Sequence, residues 1–295
     1  TTAMECGQAL HRLIKALDAE PHLLEPEQLA RRLTLLDQLD ALTGEMNPET
    51  FTTNLEALLL SRARVLRARL EAAHESLYRS ARSEILAGHS HTLRRWLLCR
   101  AVDEEAGDVR PGLGFDWRDE MVSGVLQLRE PDETGLSRSP EMVPYQPTPA
   151  RHILDLIAAS KLSNDDLFVD LGSGLGHVPL LVSILTGSRT LGVEVQAAYV
   201  ASAKEAARDL DLRGVQFAAE DARAADLSNG TVFYLFSPFT GSILAEVLSR
   251  LRRESKDRQI KICSLGPCTC VLEDQSWLKS STDSGPGRIA VFQSR

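Results

Sequence analysis

The chain has 295 residues, 43% hydrophobic and 25% charged, with a formal net charge of −8, ample for packed cores in one or two domains. The acidic balance argues against broad electrostatic capture of nucleic acid, and no run is long and apolar enough to span a bilayer. No charged-then-apolar leader precedes a cleavage-like site, so a cytoplasmic protein is expected. Its five cysteines, Cys6, Cys99, Cys263, Cys268 and Cys270, are an odd number in a chain too large to need disulfide staples, which predicts reduced thiols. Cys268 and Cys270 lack C-x-x-C spacing and have no second ligand pair nearby in sequence, so no metal site is expected.

From the N-terminus, the pattern is that of helices packing on helices. Leu10, Leu13, Ile14 and Leu17 mark one amphipathic helix; Leu29, Leu33, Leu36, Leu39 and Leu42 mark a second. Asn47-Pro48-Glu49 reads as a helix start, with proline in the first turn. Leu55, Leu58, Leu59, Val65, Leu66, Leu70, Ala73 and Leu77 carry a long third helix that can reach Leu86 before Gly88 stops it. A fourth is expected over 93–102, with Trp96 and Leu97 on its apolar side. Arg62, Arg64, Arg67, Arg69, Arg79, Arg82, Arg94, Arg95 and Arg100 make this part locally basic: a solvated face laced with ion pairs, or a docking surface for an acidic protein or nucleic acid. Residues 106–149 are rich in glycine, proline and charge, as in Arg110-Pro111-Gly112-Leu113-Gly114 and Glu130-Pro131-Asp132-Glu133, and read as a connector with a short helix or strand near 121–128.

After Tyr145-Gln146-Pro147-Thr148-Pro149 a helix is expected over 150–159, started after Thr148 with proline in its first turn. Residues 168–176 then read Phe-Val-Asp-Leu-Gly-Ser-Gly-Leu-Gly, followed by an apolar stretch over 178–185. That is strand, tight turn and helix, the opening of a βαβ unit with a ligand pocket at the carboxyl end of its strand. Gly172, Gly174 and Gly176 let the chain reverse, bring bare backbone to a ligand and pack the helix on the sheet. A dinucleotide loop is spaced G-x-G-x-x-G for a pyrophosphate on the helix N-terminus. Here glycines fall at every second position, and Asp170 precedes the first by two.

This arrangement resembles motif I of the class I S-adenosylmethionine-dependent methyltransferases. The resemblance implies that Asp170 meets the cofactor's ammonium and that the loop backbone of Gly172, Ser173, Gly174 and Gly176 receives its carboxylate. A second strand over 190–194 ends in Glu194, placed to accept both ribose hydroxyls. A helix over 197–210 leads to a third strand, 215–219, ending in Glu220-Asp221. In the family an acid there holds the adenine amino group; Asp221 is the better candidate, with Glu220 the alternative. A buried strand over 231–236, a helix over 243–251 and a strand over 259–265 follow. Segments 277–281 and 288–293 are expected to form a closing hairpin across Gly285-Pro286-Gly287.

The Tyr-x-Pro-Thr-Pro segment before Asp-Leu-Gly-Ser-Gly-x-Gly further resembles the histone-lysine methyltransferases that lack a SET domain, and the small lysine methyltransferases acting on a rotor subunit of ATP synthase. It implies that Tyr145 and Thr148 face the cofactor's methionine end. Phe236-Ser237-Pro238-Phe239 resembles in part the (Asp/Asn/Ser)-Pro-Pro-(Tyr/Phe) box of amino-group methyltransferases, in which a polar side chain and a backbone carbonyl accept from the target nitrogen and an aromatic stacks on it. One proline is missing. Tyr145, Ser237 and Phe239 are therefore the candidate catalytic residues. His177, straight after the glycine turn, is expected to face solvent or the loop.

The expected architecture is α/β: a doubly wound, mostly parallel sheet with a terminal antiparallel hairpin (145–295), preceded by an all-α helical domain (1–105) and a loop-rich connector (106–144). The expected function is methyl transfer from S-adenosylmethionine to a protein lysine or other amine nitrogen. The alternatives are a small-molecule N- or O-methyltransferase and a non-catalytic cofactor-binding interaction module. A protein is the favoured partner, and neither a membrane nor a metal is expected.

Overall fold

The computed structural model describes residues 3–44, 46, 54–98, 114–131, 140–282 and 287–295. Asn47-Pro48-Glu49, Cys99, Arg100, the end of the expected fourth helix, residues 110–113 and 132–133 of the two connector motifs and the 285–286 turn residues lie outside them. The chain divides into two compact units, one of Thr1–Glu84 with His91–Val109, the other of Ile85–Ser90 with Arg110–Arg295.

The first unit contains α1 (Ala3–Asp18), two 3-10 turns (Pro21–Leu24, Pro26–Gln28), α2 (Leu29–Gly44), α4 (His91–Leu97) and nearly all of α3 (Asn54–Leu86). Its core gathers Leu10, Ile14 and Leu17 with Leu39, Leu59, Ala63, Leu66 and Leu70. Leu55, Leu58 and Val65 do not join that stripe and are 57%, 64% and 57% exposed. At 3.6 residues per turn, Leu58 and Val65 fall about 100° or more around the helix from the centre of the 59–63–66–70 row. Leucine density had made one stripe of two adjacent ones. In α2 Arg32 is fully buried alongside Leu39, while Leu33 is only half-buried. Arg32 donates from Nη1 to the carbonyls of Leu23 (2.7 Å) and Glu25, tying the 3-10 turns to α2. Burial lowers this guanidinium's pKa to about 10. Several of the arginines are paired within the unit: Arg62 with Asp18 (2.7 Å), Arg67 with Asp40 and Glu71, and Arg95 over the ring of Trp96, a buried core residue.

The second unit is built on a seven-stranded sheet: β1 (Leu167–Leu171), β2 (Arg189–Glu194), β3 (Val215–Ala219), β4 (Val232–Leu235), β5 (Lys261–Ser264), β6 (Leu278–Ser280) and β7 (Ala290–Ser294), in the order β3-β2-β1-β4-β5-β7-β6. β1 to β5 are parallel; β7 is antiparallel to both β5 and β6. The order reverses between β1 and β4, and a crevice opens there beyond the carboxyl ends of the strands. α6 (Ala150–Ser160) leads into β1; α7 (His177–Thr186), α8 (Ala197–Asp209) and α9 (Gly241–Glu254) follow β1, β2 and β4, and α10 (Cys268–Glu273) follows β5. Val169, Leu171, Phe233, Leu235 and Ile262 of the sheet share one core with Ile243, Val247 and Leu251 of α9 and Leu272 of α10.

The element expected near 121–128 is helix α5 (Trp117–Leu126). Its start is a capping box between Asp116 and Asp119. Asp119 also accepts from the backbone N–H of Ala150 (2.8 Å), so one carboxylate serves the first turns of α5 and α6. Thr148 therefore does not cap α6. Pro149 stands at the N-cap with an extended ψ of 139° and no side-chain bond, and the Thr148 hydroxyl is used elsewhere.

Candidate active site

The crevice is a cavity of about 530 Å³. Its walls come from the turn after β1, the ends of β2 and β3, the turn after β4, the start of α10 and the segment 142–148.

The β1 turn is fixed by backbone bonds. The N–H groups of Gly172 and Ser173 both donate to the carbonyl of Val193 (2.8 and 3.0 Å). Gly172 has φ +88° and Gly174 φ +51°, a region that favours glycine. A Cβ at Gly172 would come within 2.3 Å of Pro238 Cβ, and one at Gly174 within 2.0 Å of the Tyr145 ring. The bare faces of these two glycines thus meet the protein's own side chains, where the sequence reading put a ligand. Gly176 packs against Phe217 and Ala203 of α8. The Ser173 hydroxyl is buried with no hydrogen-bond partner.

Asp170 lies at the strand end with 3% exposure. Burial first, and Glu194 second, push its carboxyl well above the usual carboxylate range. Glu194 is held by two backbone donors, Gly174 N–H (3.0 Å) and Gln196 N–H (2.9 Å). Asp221 is engaged by Arg223, through its backbone N–H and its guanidinium (2.7 Å), which keeps it below its usual range. Glu220 lines the same wall.

Segment 141–148 is fastened across the crevice. The Glu141 carboxylate accepts from Ser242 Oγ (2.7 Å) and Ile243 N–H (3.1 Å), at the start of α9. Met142 bridges Phe239, and Val143 N–H donates to the Pro238 carbonyl (3.1 Å). Tyr145 packs against Tyr199, and its hydroxyl lies 2.9 Å from His177 Nδ1. The Thr148 hydroxyl pairs with Tyr234 Oη (3.2 Å).

These contacts bear on two sequence readings, and His177 does face the loop, through Tyr145. His177 lines the cavity, and burial lowers its pKa to about 4, so at neutral pH the ring is uncharged. Its place straight after the glycine turn was the available signal. The amino-group box is occupied internally: Ser237 Oγ accepts from Cys268 N–H (3.0 Å) and donates to the Leu265 carbonyl (3.2 Å), while the Pro238 carbonyl takes Val143. Phe239 is in the sheet–α9 core, though it also edges the cavity. Tyr199, Tyr234 and Phe236 line the cavity and were not anticipated. Their positions depend on helix and strand register, which motif spacing does not supply.

Residues 143–227, under a third of the chain, match the family model described as histone methylation protein DOT1. That span runs from the Tyr145 segment through the β1 turn and β2 to Asp221, within a sheet of class I methyltransferase order. The second unit carries a class I S-adenosylmethionine-dependent methyltransferase domain. Solved structures similar to this methyltransferase include an RNA methyltransferase from Salinibacter ruber in complex with S-adenosyl-L-homocysteine (21% identity, 50% of this chain and 92% of that one, TM-score 0.40). Others are a precorrin-6y C5,15-methyltransferase from Geobacter metallireducens (16%, 56% and 95%, 0.40) and the tRNA (uracil-54, C5)-methyltransferase of Pyrococcus abyssi (15%, 50% and 39%, 0.39). No curated protein matches the chain. No helix among the described residues is long and apolar enough to cross a membrane.

Proposed function

We propose that the methyltransferase domain transfers a methyl group to an amine nitrogen, with a protein lysine as the leading substrate. The supporting observation is the charge of the cavity. Asp170, Glu194, Glu220 and Asp221 line it, and among the described residues no lysine or arginine does. With no described lysine or arginine in its wall, the cavity offers a phosphorylated substrate no countercharge, while a neutral amine needs none. The match to a histone methylation family over 143–227 points the same way.

The residues present suit the cofactor. Asp170 is a buried acid with no countercharge, which an ammonium supplies. The orphaned Ser173 hydroxyl is a ready partner for a carboxylate. Glu194 is oriented by Gly174 and Gln196 and keeps lone pairs for ribose hydroxyls, and Asp221, fixed by Arg223, is assigned to the adenine amino group. When bound, S-adenosylmethionine supplies a methyl on a sulfonium, ready for in-line displacement. The chain's own task is to position and dehydrate the nucleophile. Tyr145 roofs the glycine turn, and Phe236, Pro238 and Phe239 form an apolar wall that favours a neutral amine over an ammonium.

A small-molecule acceptor is the second reading. It is favoured by the internal engagement of Ser237 Oγ and the Pro238 carbonyl, the two groups an amine methyltransferase aims at its target. Transfer of labelled methyl from S-adenosylmethionine to lysine-containing peptides, run beside a panel of small amines and alcohols, tests the proposal. Labelled lysine supports it; labelling confined to small molecules selects the second reading; no labelling of any acceptor, with cofactor bound, returns the interaction-module alternative.

A further inference from the structure

β3 is one outer strand of the sheet, and its edge, unpaired among the described residues, borders a second, open groove of about 750 Å³ that shares no described residue with the methyltransferase cavity. Thr190 N–H donates to the Gly214 carbonyl and Glu220 N–H to the Glu194 carbonyl. Between those two bonds the parallel ladder takes every second residue, so Val215, Phe217 and Ala219 turn their amides to the open side. Val215 N–H closes a turn with Leu212; Phe217 and Ala219 remain for a partner strand. β3 reads Val-Gln-Phe-Ala-Ala. It has no proline and no charge, two of the features that natural edge strands use to repel another chain.

The charge beside this edge opposes that of the molecule. The groove is lined by Lys204, Arg208 and Arg213, against one acid, Asp211, in a chain of net charge −8. Asp211 is taken by Arg213 (3.1 Å), and the neighbouring acid Glu205 by Arg129 (3.0 Å). Lys204 and Arg208 are exposed and form no ion pair among the described residues. They stand four residues apart on α8, which packs on β3. That spacing is about 6 Å of helix rise. Alternate residues of an extended chain are about 6.6 Å apart. Two acids separated by one residue on an added strand would therefore meet both cations.

We infer that the β3 edge is a docking site for an extended acidic peptide segment of a partner protein, which adds as an eighth strand and sets alternating acidic side chains against Lys204 and Arg208. Backbone pairing gives the affinity and the two cations select the sequence. A nucleic acid strand would satisfy the cations and leave the open amides of Phe217 and Ala219 unused.

The test uses the full chain and a fluorescein-labelled seven-residue peptide alternating valine and glutamate, followed by anisotropy. Three comparisons accompany it: the same peptide N-methylated at alternate amides, a peptide with lysine in place of glutamate, and a single-stranded oligonucleotide of similar length. The acidic peptide is expected to bind, and the K204E/R208E double variant to weaken it about tenfold, less so at high salt. Methyl transfer needs neither residue, so activity and melting temperature check that this variant is folded. The N-methylated peptide should lose binding although its charge is intact. Equal binding of the N-methylated peptide would reduce the site to simple charge capture and overturn strand addition. Tighter binding of the oligonucleotide, or no binding of the acidic peptide at millimolar concentration, overturns the proposal as well.

Discussion

The Tyr145 hydroxyl stands 2.9 Å from His177 Nδ1, joining the segment before the sheet to the first turn of the helix after β1. The tyrosine ring lies over Gly174, and the imidazole is uncharged at neutral pH. The pair is a latch on the crevice. Tyr145→Phe keeps the ring and removes the bond, which is worth about 0.5–1.5 kcal/mol. Turnover is expected to fall by about threefold to tenfold, with a smaller change in cofactor affinity, because positioning is what is lost. Single-turnover rates and calorimetry on the same variant separate the two. A cofactor affinity that falls more than the rate would refute the latch.

His177 also leaves a mark on acid stability. Its pKa is lowered in the folded protein to about 4, by burial, against about 6.5 in an unfolded chain. Between those values the unfolded state holds more protons, so this group makes stability rise with pH up to about 6.5 and contributes a constant amount above it. His177→Gln should therefore flatten part of the melting-temperature loss seen on acidification from pH 6.5 to 4. Superimposable wild-type and variant profiles would contradict the burial.

Asp170 behaves in the opposite sense. Its carboxyl is raised by burial and by Glu194, so the folded state holds the extra proton, and its contribution to stability declines as pH rises through that shifted range. At neutral pH, Asp170→Asn removes a strained acid. Relief of roughly 1 kcal/mol would raise the melting temperature of the cofactor-free protein by about 2–4 °C. The same change should abolish the thermal shift given by S-adenosylmethionine, since only a ligand of the native state stabilises it. A variant that is less stable but still binds cofactor would show that Asp170 is structural.

Gly174→Ala places a Cβ within 2.0 Å of the Tyr145 ring, at a φ of +51°. The ring must leave. Tryptophan-free reporting of Tyr145, for instance by fluorotyrosine NMR, should show it displaced, and cofactor affinity should drop about tenfold or more, consistent with roughly 1–3 kcal/mol of backbone and packing strain. Unchanged affinity would mean that Tyr145 closure and cofactor binding are independent.

Glu141 fastens the start of α9, and with it the turn that carries Pro238 and Phe239. Glu141→Gln keeps the shape and weakens the two accepted bonds. The acceptor KM is expected to rise by about threefold to tenfold with cofactor affinity unchanged, the pattern of a wall that has loosened on one side only. A loss confined to cofactor binding would place Glu141 in a different role.

Much of the second unit was legible because its signals are local. The β1 turn shows itself as an acid and three glycines, and β3 was read at 215–219 as a strand ending in the acids Glu220-Asp221. The internal bonds of the Ser237 box are something that spacing cannot reveal. Its hydroxyl caps α10, a helix whose start depends on the path of the chain after β5. Arg32 was invisible for a related reason: a buried arginine in a leucine-rich helix makes sense only when the carbonyls of Leu23 and Glu25 turn towards it. In α3 the sequence contains too many leucines to show which face is buried, and only packing separates Leu59 and Leu66 from Leu58 and Val65.

β7 is last in sequence but sits between β5 and β6 in space. As the polypeptide leaves the ribosome, β5 and β6 are made before the strand that must lie between them. Until residues 290–294 emerge, Ile262 and Cys263 of β5, and Leu278 of β6, border an open slot where Val291 and Phe292 belong. A premature stop between β6 and β7 would thus release a nearly complete domain whose β5 edge is open and whose β6 segment has no strand to join, a product suited to aggregation and to capture by quality control.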